Sequence, residues 1–144
     1  MQPVRRATAG DLDRVIELHS RFCAADGHEF SESTARAALE PLLVDDRYGV
    51  VWISDGEEGE GYAVVTWGWS IESGGPDALV DEIYAAPTSS GIGTALMTTL
   101  LADIERRGIT SIFLETEARN DAARRFYRRF GFVEEDSRWM SRSV

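Results

Sequence analysis

The spacing of apolar residues divides the chain into segments of two periods. Val4 to Thr8 reads as a short edge strand. Leu12, Val15, Ile16, Leu18, Phe22 and Cys23 then recur at helical spacing, with Thr8 or Asp11 placed to cap the helix. Ala25 to Phe30 breaks the pattern, and Ser31 or Ser33 starts a second helix through about Val44. Tyr48 to Ser54 and Gly61 to Ser70 read as strands joined by the acidic turn DGEEGEG, and Gly74-Gly75-Pro76 is a further turn.

The next stretch, LVDEIYAAPTSSGIGTALMTTLL, organises the rest. Leu79 to Ala86 reads as a buried strand ended by Pro87, and after a small-residue turn Gly91 and Gly93 open a helix with Ile92, Leu96, Leu100 and Ile104 on one stripe. Arg106-Arg107-Gly108 gives that helix a cationic last turn and a stop. Ser111 to Thr116 is another strand, Asn120-Asp121 caps a short helix from Ala122 to Phe130, and Phe132 to Ser137 and Arg138 to Ser143 read as final strands. The order β α α β β β α β α β β combines hairpins with one strand-helix-strand crossover. It predicts an α+β domain with a mixed sheet flanked by helices.

Composition narrows the classes. A chain of 144 residues builds one domain with a real core, and its single cysteine, Cys23, excludes an internal disulfide and reads as a buried small hydrophobe. No apolar run reaches the length of a membrane span and the N-terminus lacks a signal-peptide pattern, so a cytoplasmic protein without membrane contact is expected. The formal charge is −10 and all fifteen basic residues are arginine, which argues against nucleic-acid binding. The lack of lysine excludes a P-loop, and a missing third glycine argues against a dinucleotide-binding turn. No cysteine and histidine spacing suggests a metal site, so no metal is expected.

Chemistry concentrates in a few places. The unpaired N–H groups and positive end of the helix opened by Gly91 suit a phosphate. Trp67 and Trp69 share one face of their strand with Val65, which suits either core or the wall of a pocket. The break at residues 25–30 is a candidate substrate loop, and His28 within it reads as solvent-exposed.

SSGIGTAL after a strand, followed by LETEARNDAARRFYRRFGF, resembles the GCN5-related N-acetyltransferase (GNAT) family. The resemblance covers the whole element order and is sharpest from Val80 to Val133. It implies acetyl-CoA as co-substrate, with Ile83, Tyr84 and Ala85 offering backbone groups to the pantetheine arm where their strand splays from its neighbour. Ser89, Ser90, Gly91, Ile92, Gly93 and Thr94 would surround the pyrophosphate. The family's usual arginine or glutamine three residues before the first glycine is Thr88 here, and the turn is shorter.

Asn120, the alanine pair, Phe126-Tyr127 and Gly131-Phe132 match the family's last motif in register. By that resemblance Tyr127 is the general acid that protonates the departing thiolate, a role suited to a phenol of pKa about 10. The residues alone would place it in an apolar stripe with Ala123, Phe126 and Phe130. An amine nucleophile must also lose a proton, and Glu82 and Glu115 are the leading candidates for the base, ahead of Asp81. Glu115 opens a segment similar to LEVRxxN of the ribosomal-protein alanine acetyltransferases. Asp81 sits where polyamine acetyltransferases carry a glutamate, and strand alternation turns Glu82 to the opposite face. Arg124, Arg125, Arg128 and Arg129 form the polar side of the last helix, where one or two would meet the 3′-phosphate of CoA.

The resemblance implies an N-acetyltransferase that moves acetyl to a primary amine by direct attack in a ternary complex. The acceptor is a small molecule or a protein amine, and a homodimer would form through Arg138 to Ser143. The alternative is a non-catalytic acyl-CoA-binding sensor or structural module, for which the departure at Thr88 leaves room.

Overall fold

The computed structural model describes residues 3–144. One five-stranded sheet runs in the order β1 (Val4–Arg6), β2 (Gly49–Ser54), β3 (Glu60–Ser70), β4 (Gly75–Ala86) and β5 (Ile112–Leu114). The first four strands pair antiparallel and β4 pairs parallel with β5, the mixed sheet expected from the element order. Helices α1 (Leu12–Asp26) and α2 (Glu32–Val44) cover one face, while α3 (Ile92–Arg106) and α4 (Asp121–Arg128) cover the other. No helix among the described residues is long and apolar enough to cross a membrane.

Alternation along the central strands supplies two cores. Val50, Trp52, Ala63, Val65, Ala78 and Val80 face α3, whose stripe of Ile92, Leu96, Leu100 and Ile104 is buried as the spacing predicts. Val51, Ile53, Tyr62 and Val64 face α1 and α2, where they meet Val15, Leu18, Leu39 and Leu43. Burial of such side chains is worth roughly 1.5–3 kcal/mol each, which makes both layers obligatory. Cys23 is a free, buried thiol.

Two glycines permit this geometry. Gly91 caps α3 at φ 84°, a conformation costly for a residue with a Cβ. At Gly61 a Cβ would stand 2.6 Å from Ile92 Cγ2 and 2.7 Å from the Tyr84 carbonyl oxygen, so a bare backbone there lets α3 settle on the sheet.

The structure differs from the sequence pattern in three respects. First, β4 begins at Gly75 instead of Leu79, extending the hairpin with β3 up to a Ser70↔Gly75 pair, and beyond Val80 it is only half-buried. Second, β5 keeps only Ile112–Leu114 of the expected Ser111 to Thr116. Third, the strands expected at Phe132 to Ser137 and Arg138 to Ser143 do not form, and residues 133–144 are exposed coil. Val133, Trp139 and Met140 lack the alternating apolar partners that would give a strand a buried face. The strand pairing expected for a homodimer is therefore not preformed.

Of the two readings left open for the aromatic strand, Trp67 takes that of core, while Tyr62 and Val64 of the same strand line a cavity. Trp67 packs toward α3, donates its indole N–H to the Asp46 carbonyl at 2.8 Å and lies under the Arg107 guanidinium at 4.7 Å, while Trp69 is 80% exposed.

Candidate active site

The β4–β5 ladder has three pairs, Ala78↔Ile112, Leu79↔Phe113 and Val80↔Leu114, and then stops. From Asp81 to Ala86, β4 continues with β3 on one edge and, among the described residues, no ladder partner on the other. Ile83, Tyr84 and Ala85 thus lie on an open edge, where alternate backbone groups point into the gap. The end of this edge leads through Pro87 to the start of α3. There Ser90 Oγ accepts the Ile92 N–H at 3.3 Å, and a Cβ on Gly91 would meet nothing within 4 Å.

Ser89, Ser90, Gly91, Ile92, Gly93 and Thr94 thus form the turn and first residues of α3, with open space beside Gly91. The Phe126 ring lies 3.5 Å from where a Cβ on Gly93 would stand, which brings α4 to the start of α3.

A β-bulge at Asp81 sets the other half of the site. Val64 pairs with Glu82 and Val65 with Val80, so Asp81 is the extra residue. Before it Ala78 and Val80 face α3; after it the phase reverses, and Ile83 and Ala85 face α3. Glu82 is consequently turned to the α1–α2 face. The expectation that Asp81 and Glu82 look to opposite sides is corrected: both line one cavity of about 250 Å³.

Glu82 is held firmly in that cavity. Its Oε1 accepts a hydrogen bond from the Tyr62 hydroxyl at 2.5 Å and lies 2.9 Å from His19 Nδ1. Burial, then the charge and hydrogen bond of Glu82, push the Tyr62 phenol well above its ordinary range, so it stays a donor. Loss of hydration and then the negative potential of Glu82 also raise Asp81, although its carboxylate opens on the cleft. Glu29, Ser31 and Thr34 add polar groups to the rim, and Ala35, Ala38, Leu39, Leu42 and Val64 form an apolar wall.

The sequence reading missed His19 and Tyr62. A signal existed for His19: it stands three residues after Ile16 and four before Cys23, inside the apolar stripe of α1, where a polar side chain requires a partner. Tyr62 carried no comparable mark.

The remaining candidates are distributed around the gap. Tyr127 is half-buried on α4, edge-on to Phe126 and Phe132, and burial followed by the charge of Asp26 raises its phenol above the ordinary value. The tyrosine thus belongs to the apolar stripe and also feels a carboxylate of the α1 end. Asn120 caps α4, its Oδ1 accepting the Ala123 N–H at 3.0 Å. Glu115 is exposed just past β5, outside the cavity lining.

Of the arginines, Arg124 pairs with Asp121 and Glu134, Arg128 pairs with Glu134, and Arg129 lies over the Phe126 ring. His28 is 2.8 Å from Asp26, and with Glu117 these residues bring three ligand atoms within 4.8 Å of one another at the surface. That grouping, which no linear spacing displays, joins the end of α1 to the loop before α4.

A five-stranded mixed sheet flanked by helices, open between its two parallel strands, is the fold of the solved acetyltransferases that the chain resembles. The acetyltransferase (GNAT) family profile matches residues 12–132, and the chain belongs to that family. Among solved structures, integron cassette protein HFX_CASS3 from the mobile metagenome of Cole Harbour Salt Marsh is 28% identical with a TM-score of 0.85, covering 98% of this chain and 90% of its own. A candidate acetyltransferase from Arthrobacter sp. FB24 is 26% identical with a TM-score of 0.86, covering 100% and 97%. A predicted acetyltransferase from Clostridium acetobutylicum, solved with acetyl-CoA, shares the fold at 20% identity and a TM-score of 0.81, covering 99% and 96%. No curated protein matches the sequence significantly.

Proposed function

We propose that the protein is an N-acetyltransferase that moves the acetyl group of acetyl-CoA onto the primary amine of a compact cationic acceptor, by direct attack in a ternary complex. The observation that carries this reading is the meeting, at one point on β4, of the open edge beyond Val80 and the acidic cavity made by the Asp81 bulge. On one side main-chain groups of Ile83 to Ala85 and the α3 turn hold the acyl donor. On the other, Glu29, Asp81 and Glu82 attract a cation, and no arginine lines the cavity.

Glu82 is the base. It takes a proton from the acceptor ammonium, and the freed lone pair attacks the thioester carbonyl. The carbon–sulfur bond breaks with its electrons on sulfur, and the Tyr127 hydroxyl gives that sulfur its proton. The proton shed by the acylated nitrogen restores the phenol through solvent. Asp81 orients the ammonium beside Glu82. Glu115, exposed and outside the cavity, is the weaker base candidate.

Calorimetric titration with acetyl-CoA, followed by free-thiol release across a panel of amines of graded size and charge, tests the reading. Binding with thiol release that favours small dications is the expected result. Because the chain has no lysine, acetyl found on a side-chain amine in a protein acceptor assay belongs to the acceptor. Binding with no release for any amine would replace the enzyme with a CoA-binding module, the reading the departure at Thr88 allows. Absence of binding would sink both.

A further inference from the structure

His19 is the one imidazole facing the cavity, and both of its ring nitrogens are engaged. Nδ1 lies 2.9 Å from Glu82 Oε1 and 3.4 Å from the Tyr62 hydroxyl, and Nε2 lies 3.4 Å from Cys23 Sγ. Phe22 stacks on the ring at 6.2 Å between centroids and Phe30 approaches at 5.8 Å, so the ring has little room to turn. Cys23, one helical turn along α1, is buried with its thiol raised by burial and by the charges of Glu82 and Asp26, and so keeps its proton. An ionised carboxylate only accepts, so a neutral ring at this place carries its proton on Nδ1, and the bare Nε2 is left to accept from the Cys23 thiol.

We infer that His19 is a positioning residue whose tautomer is fixed by the Glu82 carboxylate, with the Cys23 thiol closing on Nε2, so that Nδ1–H and the Tyr62 hydroxyl together anchor Glu82 Oε1 and leave Oε2 to meet the acceptor amine. No hydrogen bond to Oε2 is present among the described residues. The role deepens the proposed chemistry and rests on Glu82 as its base. It also accounts for a cysteine on the buried stripe of a helix that could carry any small apolar residue: the thiol supplies a donor in a place where alanine or valine supplies none.

The tautomer is measured directly, without substrate, by nitrogen-15 NMR of histidine-labelled protein at pH 8. His19 and His28 are the only histidines, and His28→Asn assigns the spectrum. The expected result is the Nδ1–H form for His19 in the parent protein, kept in Cys23→Ser and lost or mixed in Glu82→Gln, whose amide also offers a donor to Nδ1. The Nε2–H form in the parent protein overturns the inference.

In turnover, His19→Ala is expected to lower kcat about tenfold to a hundredfold, the worth of one hydrogen bond to a charged group. His19→Asn, whose amide nitrogen occupies the Nδ1 place, restores most of that loss, and His19→Gln does not. Equal rates for the three variants refute positioning. Glu82→Gln separates the two levels of argument: parent-like turnover in that variant removes the base itself, whereas slow Glu82→Gln beside parent-like His19→Ala removes only the inference about His19.

Discussion

The two faces of the central sheet are made from the same strands and do opposite things. Toward α3, apolar side chains of β2, β3 and β4 close against Ile92, Leu96, Leu100 and Ile104, all of them buried. Toward α1 and α2, the same strands begin with an apolar layer at Val51, Ile53 and Val64 but end in a cavity with carboxylates, an imidazole and a phenol. One extra residue, Asp81, makes the difference, because it reverses the phase of β4 and sends Glu82 out of the α3 layer. The α3 face is apolar except for the Ser54 hydroxyl, which shares the alternation of Val50 and Trp52 and is buried without a hydrogen-bond partner among the described residues, whereas the cavity face holds its polar groups by pairing them with each other. The first face is therefore read by stability and the second by turnover.

Substitutions can break that division or sharpen it. The largest effect is expected from Glu82→Gln, which should lower kcat about 10³- to 10⁴-fold in the thiol-release assay while circular dichroism and unfolding temperature stay close to the parent. Leu96→Ala on the opposite face should cost about 2–5 kcal/mol in denaturant unfolding. At temperatures where it remains folded, its turnover should be near that of the parent. A large loss of activity in folded Leu96→Ala would erase the division.

Tyr127→Phe comes next, with kcat down about 10²-fold and acetyl-CoA affinity by calorimetry unchanged; parent-like rates would return Tyr127 to the apolar stripe alone.

Asp81→Asn sharpens the comparison through pH. The folded state raises the Asp81 pKa, so ionising it costs stability as pH rises through the window between its ordinary and its raised value. The asparagine variant should unfold at a slightly higher temperature than the parent at pH 8, and the gap should close below pH 3, where the aspartate is protonated in both states. Its KM for a cationic amine should rise. Glu115→Gln is expected to change kcat by less than about twofold, within the range of an ordinary surface substitution.

The order of elements was legible because helical stripes and strand alternation are long in this chain. The buried stripe from Ile92 to Ile104 and the cap at Asn120 stand where spacing places them. What escaped was phase. Alternation read without a bulge puts the adjacent acids Asp81 and Glu82 on opposite faces, and the bulge itself shows only in the register with β3. The constellation around Glu82 escaped for another reason: His19, Tyr62 and Glu82 come from three elements, and no linear motif links residues that only a tertiary contact joins. The final strands were misread because a strand is specified by its partner as well as by its residues, and Val133 to Val144 has none.

The early end of the β4–β5 ladder also gives the protein a kinetic signature. Along Glu82 to Ala86, amide protons directed at β3 are locked in a ladder, while those directed at the gap have no strand partner among the described residues. Deuterium uptake in this segment should therefore alternate between slow and fast at successive residues, a two-residue rhythm within a single strand. A ligand seated in the gap would silence the fast half alone, and the rhythm would flatten without any movement of the fold.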